Sequence, residues 1–588
     1  MKRHRVAPGC TFEPDESEVL IDPIVGKKSG TISVEPEVFR RKSELDDIPD
    51  DFAARMMGFR SEVRKVESVD VKTPKGLALT NVVILSVFLM PVFYMVWRFF
   101  TFSRSFESFF ESWNVYGMLF NTISMFFAVV ISSVSLGLLI SIILIRFKIK
   151  GSKIIFTLCT LPLVIPSYIG ALTYISAFSP KGLFVKIFSF AGLNEINGIE
   201  GFIGSWIVLT LFTYPYVLLI CSSALRNLDS TVEEAARSLG VKRFRIYTSV
   251  VIPRLRKPII YSGLLVGLYV ISDFGAVSLM RYSTITKAIY TYYEFSLLGD
   301  PIIFYSGLLI FLALIISFIQ RGSDVTRSAK VSGTPRIPAK VDLSSRSKLL
   351  VYLFFALVIF FGLMLPVSVL SYWLIRGLSL GNDVRAVFGG VVGSFSASIV
   401  TSILAIIISM PIVIMISQYR SKFGDLLEKV ILALYGLPHL AVGVSILFIT
   451  VKIFPSIYQS FFALVISYLI VFLPQAIGGG QASMEQVKGS YIDASSSLGK
   501  SKIETFSKVT FPLIYRGLLA GGALVFLSTM KELPQTLLLR PTGFNTMAVD
   551  VWSFASEGLF TQAAFSAFIL LAISAIPTYM LSTRNLSG

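Results

Sequence analysis

Twelve apolar runs, each long enough to cross a hydrocarbon core of ~30 Å as a helix, leave this chain few ways to fold. In lipid every backbone polar group must be satisfied within the chain, so such runs are read as helices. They fall at 79–100, 119–145, 153–178, 202–224, 258–280 and 300–320, and again at 348–375, 393–417, 428–452, 460–482, 516–535 and 561–582. Hydrophobic residues make up 54% of the 588, and charged residues only 15%. Soluble globular classes are excluded. The fold class is all-α: a polytopic membrane protein with about 12 transmembrane helices.

Charge sets the expected orientation. The net charge is +17. Residues 1–75 hold 14 Lys/Arg and 15 Asp/Glu, which leaves 39 basic and 21 acidic side chains for the membrane body. That excess is scattered between spans, unlike a nucleic-acid footprint. Arg146, Lys148, Lys150 and Lys153 follow the second run. Arg237, Lys242, Arg243, Arg245, Arg254, Arg256 and Lys257 follow the fourth. By the positive-inside rule these loops and both termini face the cytoplasm of a cell-membrane (inner-membrane) protein. Cys10, Cys159 and Cys221 have no spacing partner, so no disulfide framework or metal-ligand pattern is present.

The expected domains are a charged cytoplasmic tail, 1–76, and a first half, 77–320. A Ser-, Arg- and Lys-rich linker, 321–347, then leads to a second half, 348–588. The tail lacks the apolar stretch of a signal peptide and is expected to be disordered, with a short helix over 50–64.

The halves repeat. Glu234-Ala235-Ala236-Arg237-Ser238-Leu239-Gly240 is followed, after nine residues, by Val250-Val251-Ile252-Pro253, and Asp493-Ala494-Ser495-Ser496-Ser497-Leu498-Gly499 by Val509-Thr510-Phe511-Pro512. Gly240 to Gly499, Pro253 to Pro512 and Pro215 to Pro474 are all separated by 259 residues. Pro166 corresponds to Pro438 at a slightly larger offset. Both halves keep the same side in, so the repeat is parallel, with its pseudo-two-fold axis along the membrane normal. Each cassette, 230–254 and 489–513, reads as a short helix on the cytoplasmic face. It turns at a glycine and joins a span at a proline. Ala235, Ala236 and Leu239, and likewise Ala494 and Leu498, are expected to share a helical face.

Glu-Ala-Ala, three residues, Gly, nine residues and a hydrophobic pair ending in Pro resembles the signature loop of ABC importer permeases. The first copy matches at every anchor. The second has Asp493 for Glu and Ser495 for Ala; Asp keeps the charge. The resemblance covers roughly 79–588. It implies that Glu234, Ala235, Ala236, Gly240 and Pro253, and Asp493, Ala494, Gly499 and Pro512, form docking loops for two copies of a cytoplasmic ATPase. It also implies an extracytoplasmic substrate-binding protein as a partner. The chain is then a transport subunit and not an enzyme, with no catalytic residue. Gly499-Lys500-Ser501 looks like the end of a phosphate-binding loop, but Ala494 stands where that motif needs glycine. No cofactor is expected on this chain; ATP is used by the partner.

Two further stretches resemble the fused permeases of ferric-iron importers. They are Ser272-Asp273-Phe274-Gly275 and Lys531-Glu532-Leu533-Pro534 with the Leu-rich run to Arg540-Pro541. Relatives moving thiamine, polyamines or phosphonates share parts of them. A different class, a carrier driven by an ion gradient, has no need of paired docking loops. Asp273 and Glu532, again 259 apart, are costly near a span and mark the substrate path or its outer gate. Carboxylate oxygens suit a hard cation such as Fe(III). The structural alternative pairs Asp273 with Arg281, and Glu532 with Lys531 or Arg540. His439, a lone span histidine, reads as a hydrogen-bonded packing residue. Gly263/Gly267, Gly517/Gly521 and Gly478–Gly480 read as points of close helix contact, with flexibility the alternative at the last.

Overall fold

The computed structural model describes residues 20–21, 28–29, 74–101, 114–180, 182–189, 198–228, 231–296, 299–321, 340–419, 421–487 and 489–587. Two units are distinguished, Met1–Asp70 and Val71–Gly588. In the first, Leu20–Ile21 pairs antiparallel with Lys28–Ser29. The helix expected over 50–64 lies outside the described residues, as do Cys10 and most of the tail and linker.

The second unit is helical. Its first half contains α1 (Lys75–Phe100), α2 (Val115–Arg146), α3 (Ser152–Thr160), α4 (Ser167–Phe178) and α5 (Phe202–Arg226). These are followed by α6 (Thr231–Ser238), α7 (Arg256–Ser272), α8 (Gly275–Leu279), α9 (Ile285–Ser296) and α10 (Asp300–Arg321). The second half opens with α11 (Ser345–Ile359) and α12 (Leu365–Ser379), then α13 (Val387–Gln418), α14 (Lys422–Tyr435), α15 (His439–Lys452) and α16 (Phe461–Met484). It ends with α17 (Gly489–Ser497), α18 (Phe511–Met530), α19 (Pro534–Leu539), α20 (Met547–Ser556) and α21 (Phe560–Ser587).

Among the described residues eight helices are long and apolar enough to cross a membrane, and three bent pairs raise this to as many as eleven. The twelfth expected run falls on α21, whose counted apolar part, Phe560–Ile576, is shorter than a span. Two expected spans are therefore sharply bent. Ser152–Val164 meets Ser167–Lys186 at 97°, and Lys422–Tyr435 meets His439–Lys452 at 101°. The cause is proline: Pro166 and Pro438 lie in extended backbone and start α4 and α15, and the residue before a proline is pushed out of the helical region.

Packing repeats too. In the first half α2, α5 and α7 pack on one another; in the second α13, α16 and α18 do. The first spans are exchanged: α1 packs on α15 of the second half, and α12 on α4 of the first. Buried Asn81 of α1 donates to the Pro411 carbonyl of α13 (3.2 Å), and Tyr174 Oη of α4 donates to the Phe361 carbonyl (2.8 Å). One apolar core runs through both halves, while Phe93, Phe100, Phe120 and Val392 point outward, as lipid-facing residues do. Hydroxyl pairs join α2 to α5, Ser132–Thr210 at 2.8 Å and Ser133–Thr213 at 2.9 Å.

The glycine pairs mark close approach. A Cβ on Gly479 would sit 2.5 Å from the Gly517 carbonyl oxygen and 2.7 Å from Gly521 Cα. Only a side-chain-free crossing lets α16 and α18 meet this closely, which favours packing over flexibility at Gly479. Cys159 and Cys221 are buried free thiols.

Candidate functional site

Both cassettes are built by the same backbone device. In the first, Gly240 at φ +74° stands two residues past the end of α6; in the second, Gly499 at φ +75° stands two past the end of α17. Each closes a six-to-one and a five-to-two hydrogen bond, the Schellman arrangement that a left-handed glycine permits. Val241 N–H donates to the Ala236 carbonyl (3.1 Å) and Gly240 N–H to that of Arg237 (2.9 Å). The second copy repeats this with Lys500 to Ser495 (3.2 Å) and Gly499 to Ser496 (3.0 Å).

A wide π-turn follows in each, Tyr247–Val251 and Phe506–Thr510. Each ends two residues before a proline, as does a third π-turn, Phe360–Met364 before Pro366. A proline donates no backbone hydrogen bond and crowds the preceding turn, which widening relieves. The cassette thus runs into its span through continuous helical backbone in the second half. In the first half Tyr247–Arg254 bends by 64° onto Arg256–Ser272. Pro512 stands in the first turn of α18, as expected of a proline at a helix start, whereas Pro253 lies before the bend and outside α7.

The expected face holds for Ala235 with Leu239 and for Ala494 with Leu498, each pair exposed together, and is corrected for Ala236. Ala236 instead packs against an apolar cluster with Leu225, Val251 and Leu255. Glu234 is half-buried and Asp493 exposed. Leu239 and Leu498, 81% and 79% exposed at matching positions, are the same apolar knob presented twice.

Ser495 also acquires a reason. It stands where the first copy has Ala236, is buried, and shares a 2.9 Å hydrogen bond with buried Thr505, which stands where the first copy has Ile246. An apolar pair in one cassette is a hydroxyl pair in the other. The Lys500-Ser501 stretch caps a helix: Ser501 Oγ accepts from Glu504 N–H (3.2 Å) and Glu504 Oε2 accepts from Ser501 N–H (3.4 Å). The Lys508 ammonium, 3.3 Å away, holds the Glu504 carboxyl below its usual range.

The broken spans form the second constellation. Helix α7 stops at Ser272 and α18 at Met530, so the expected spans 258–280 and 516–535 are interrupted at their carboxylates. Asp273 Oδ1 accepts from Ala276 N–H (3.0 Å), and its carbonyl accepts from Thr286 Oγ1 (2.8 Å). Glu532 Oε1 accepts from Gln535 N–H (3.2 Å), and its carbonyl from Thr536 Oγ1 (2.6 Å). The second carboxylate oxygen reaches the first residue after a break proline. Ser167 Oγ donates to Asp273 Oδ2, and His439 Nδ1 lies 2.7 Å from Glu532 Oε2. Each carboxylate therefore ties a broken span to a bent one.

The structural alternative pairs these carboxylates with Arg281 and Arg540, and both arginines have other partners. Arg281 pairs with Glu200 (3.2 Å), and the Arg540 guanidinium bonds Asn545. His439 is the hydrogen-bonded packing residue expected, bonded to Glu532 and packed edge-on to the Phe472 ring at 5.4 Å, while its partner and the role of Ser167 are additions. Ser167 and His439 each directly follow a proline, and that shared register was the one available signal.

The two halves meet beside the first constellation. Tyr168, beside Ser167, has a buried hydroxyl with no hydrogen-bond partner among the described residues. Phe274, beside Asp273, stands 4.6 Å from the Tyr290 ring and 5.1 Å from that of Trp552 in α20. Among the described residues no group of three or more His, Cys, Asp or Glu side chains is placed to hold a metal ion.

Comparison with known proteins agrees with a duplicated membrane body. The family described as binding-protein-dependent transport system inner membrane component matches residues 133–324 and again 410–585. The Fe(3+)-transport system permease protein FbpB 2 of Haemophilus influenzae is 30% identical over 469 residues, 79% of this chain and 89% of the relative. The ferric transport system permease protein FbpB of Actinobacillus pleuropneumoniae is 23% identical over 71% of this chain and 64% of its own length. The sulfate transport system permease protein CysT of Salmonella typhimurium is 29% identical over 24% of this chain and 50% of its own. With both cassettes inside the two matched segments, the chain belongs to the family of binding-protein-dependent transport system inner membrane components.

Proposed function

We propose that this chain is the permease subunit of an ATP-driven ABC importer whose cargo is ferric iron. The observation that carries the reading is the repeated cassette. One turn, one exposed leucine and one π-turn built twice suit two copies of one partner. That partner is a cytoplasmic ATPase, docking on Glu234–Pro253 and Asp493–Pro512. The cassettes and both termini face the cytoplasm, and a soluble binding protein delivers cargo on the other side. The halves, 77–320 and 348–588, open alternately to either side. Iron as cargo rests on the names of the two relatives that match most of this chain.

In this reading Asp273 and Glu532 act at the outer gate, each holding a broken span against a bent one. They need not bind the ion tightly. The chain itself holds no cofactor.

The test is radiolabelled iron uptake in proteoliposomes holding the chain with its ATPase and binding protein. Labelled sulfate serves as the control cargo, because other relatives carry that name. ATP-dependent iron uptake abolished by Glu234→Arg plus Asp493→Arg is expected. Binding-protein-stimulated ATP hydrolysis without iron uptake would discard iron and keep the importer. Uptake indifferent to ATP and to both changes would overturn the importer.

A further inference from the structure

We propose that Arg146 is a positioning residue that fixes the first docking cassette to α2, and that the two cassettes therefore transmit partner movement by different means. This rests on the docking reading above.

Arg146 is the last residue of α2. Its Nη2 donates to Glu233 Oε1 at 2.6 Å, and both side chains are 1% exposed. Glu233 lies in α6, one residue before the docking glutamate. Removing two charges from water is costly, and such a pair is worth keeping where it sets geometry.

The same point receives the linker. Val341 N–H donates to the Arg146 carbonyl and Lys148 N–H to the Val341 carbonyl, both at 2.9 Å, so Val341 forms a parallel bridge with Phe147. Lys148 Nζ pairs with Asp342 Oδ2 at 2.9 Å. The Phe147 ring stands 6.3 Å from Tyr247, in the π-turn of the first cassette. The second half begins at Ser345, three residues past Asp342. The cassette, α2 and the entry to the second half are thus fastened together at Arg146.

Among the described residues the second cassette has no such fastening. Ile492 occupies the position of Glu233 and packs against the apolar core, and the last turn of α13 carries no basic residue. Its polar tie, Ser495–Thr505, stays within the cassette. Movement at the first cassette is passed at once to α2 and to the second half. Movement at the second passes along its own span.

The test uses the reconstituted complex of permease, ATPase and binding protein. Arg146→Gln, Glu233→Gln and the swap Arg146→Glu with Glu233→Arg are compared for ATPase retention on purification, for stimulated ATP hydrolysis, and for cargo moved per ATP. Each single change is expected to keep the ATPase bound but to lower cargo per ATP about five-fold or more. The swap is expected to recover most of that loss. Where a single change prevents accumulation of the protein, recovery by the swap supports the pair equally. Single variants that couple like wild type, or a swap no better than the singles, overturn the proposal. Failure of the docking reading has a different signature: wild-type protein that never retains the ATPase.

Discussion

At the scale of single residues the repeat shows what a position requires and what it merely tolerates. Glycine is required at 240 and 499, where φ is positive. Alanine at either is expected to cost ~1 kcal/mol, measurable as lost thermal stability in detergent. By contrast Ala236/Ile246 and Ser495/Thr505 are two solutions to one contact. Ser495→Ala alone leaves the buried Thr505 hydroxyl unpaired and is expected to destabilise the cassette by ~1–2 kcal/mol. Adding Thr505→Ile recreates the first cassette's pair and is expected to recover most of the loss; a non-additive double-mutant cycle is the check. The glycines and prolines of this region were legible in sequence because backbone geometry restricts them. Ser495 read as a departure because its partner lies ten residues on, beyond any helical periodicity. Arg146 read as one more loop charge, since nothing local marks a cation whose counter-charge is 87 residues away.

At the scale of elements the apolar runs located the helices but not their breaks. Hydropathy averages over a window, and a span bent by about a right angle has the same average as a straight one. Pro166 and Pro438 were visible, yet a proline inside an apolar run also fits a continuous helix, as Pro215 and Pro474 do here. What also marks these two breaks is a carboxylate that meets the first residue after each. Asp273→Asn with Glu532→Gln is expected to cut uptake while leaving the ATPase bound, and unchanged uptake would remove these residues from the gate. Ser167→Ala and His439→Leu each strip a buried carboxylate of one hydrogen bond. Each is expected to lower stability by ~1–3 kcal/mol, read by thermal unfolding. A role in the gate adds a fall in uptake to that loss.

At the scale of the whole molecule the offset of 259 residues announced two similar halves but could not say how they join. The exchange of first spans answers that. Because α1 lies on α15 and α12 on α4, each half is incomplete without the other. Chains cut within 322–339 and co-expressed are expected to co-purify through a tag on either fragment, whereas a fragment expressed alone is expected to be degraded. The exchange also bears on synthesis in the cell. Helix α4 emerges from the ribosome long before α12, the helix that covers it: Phe178 and Leu365 are 187 residues apart. At ~5–20 residues per second the wait is roughly 10–40 s. Throughout that interval a sharply bent, half-covered apolar segment must be shielded by the insertion machinery, which makes the nascent first half the stage at which quality control has most to act upon.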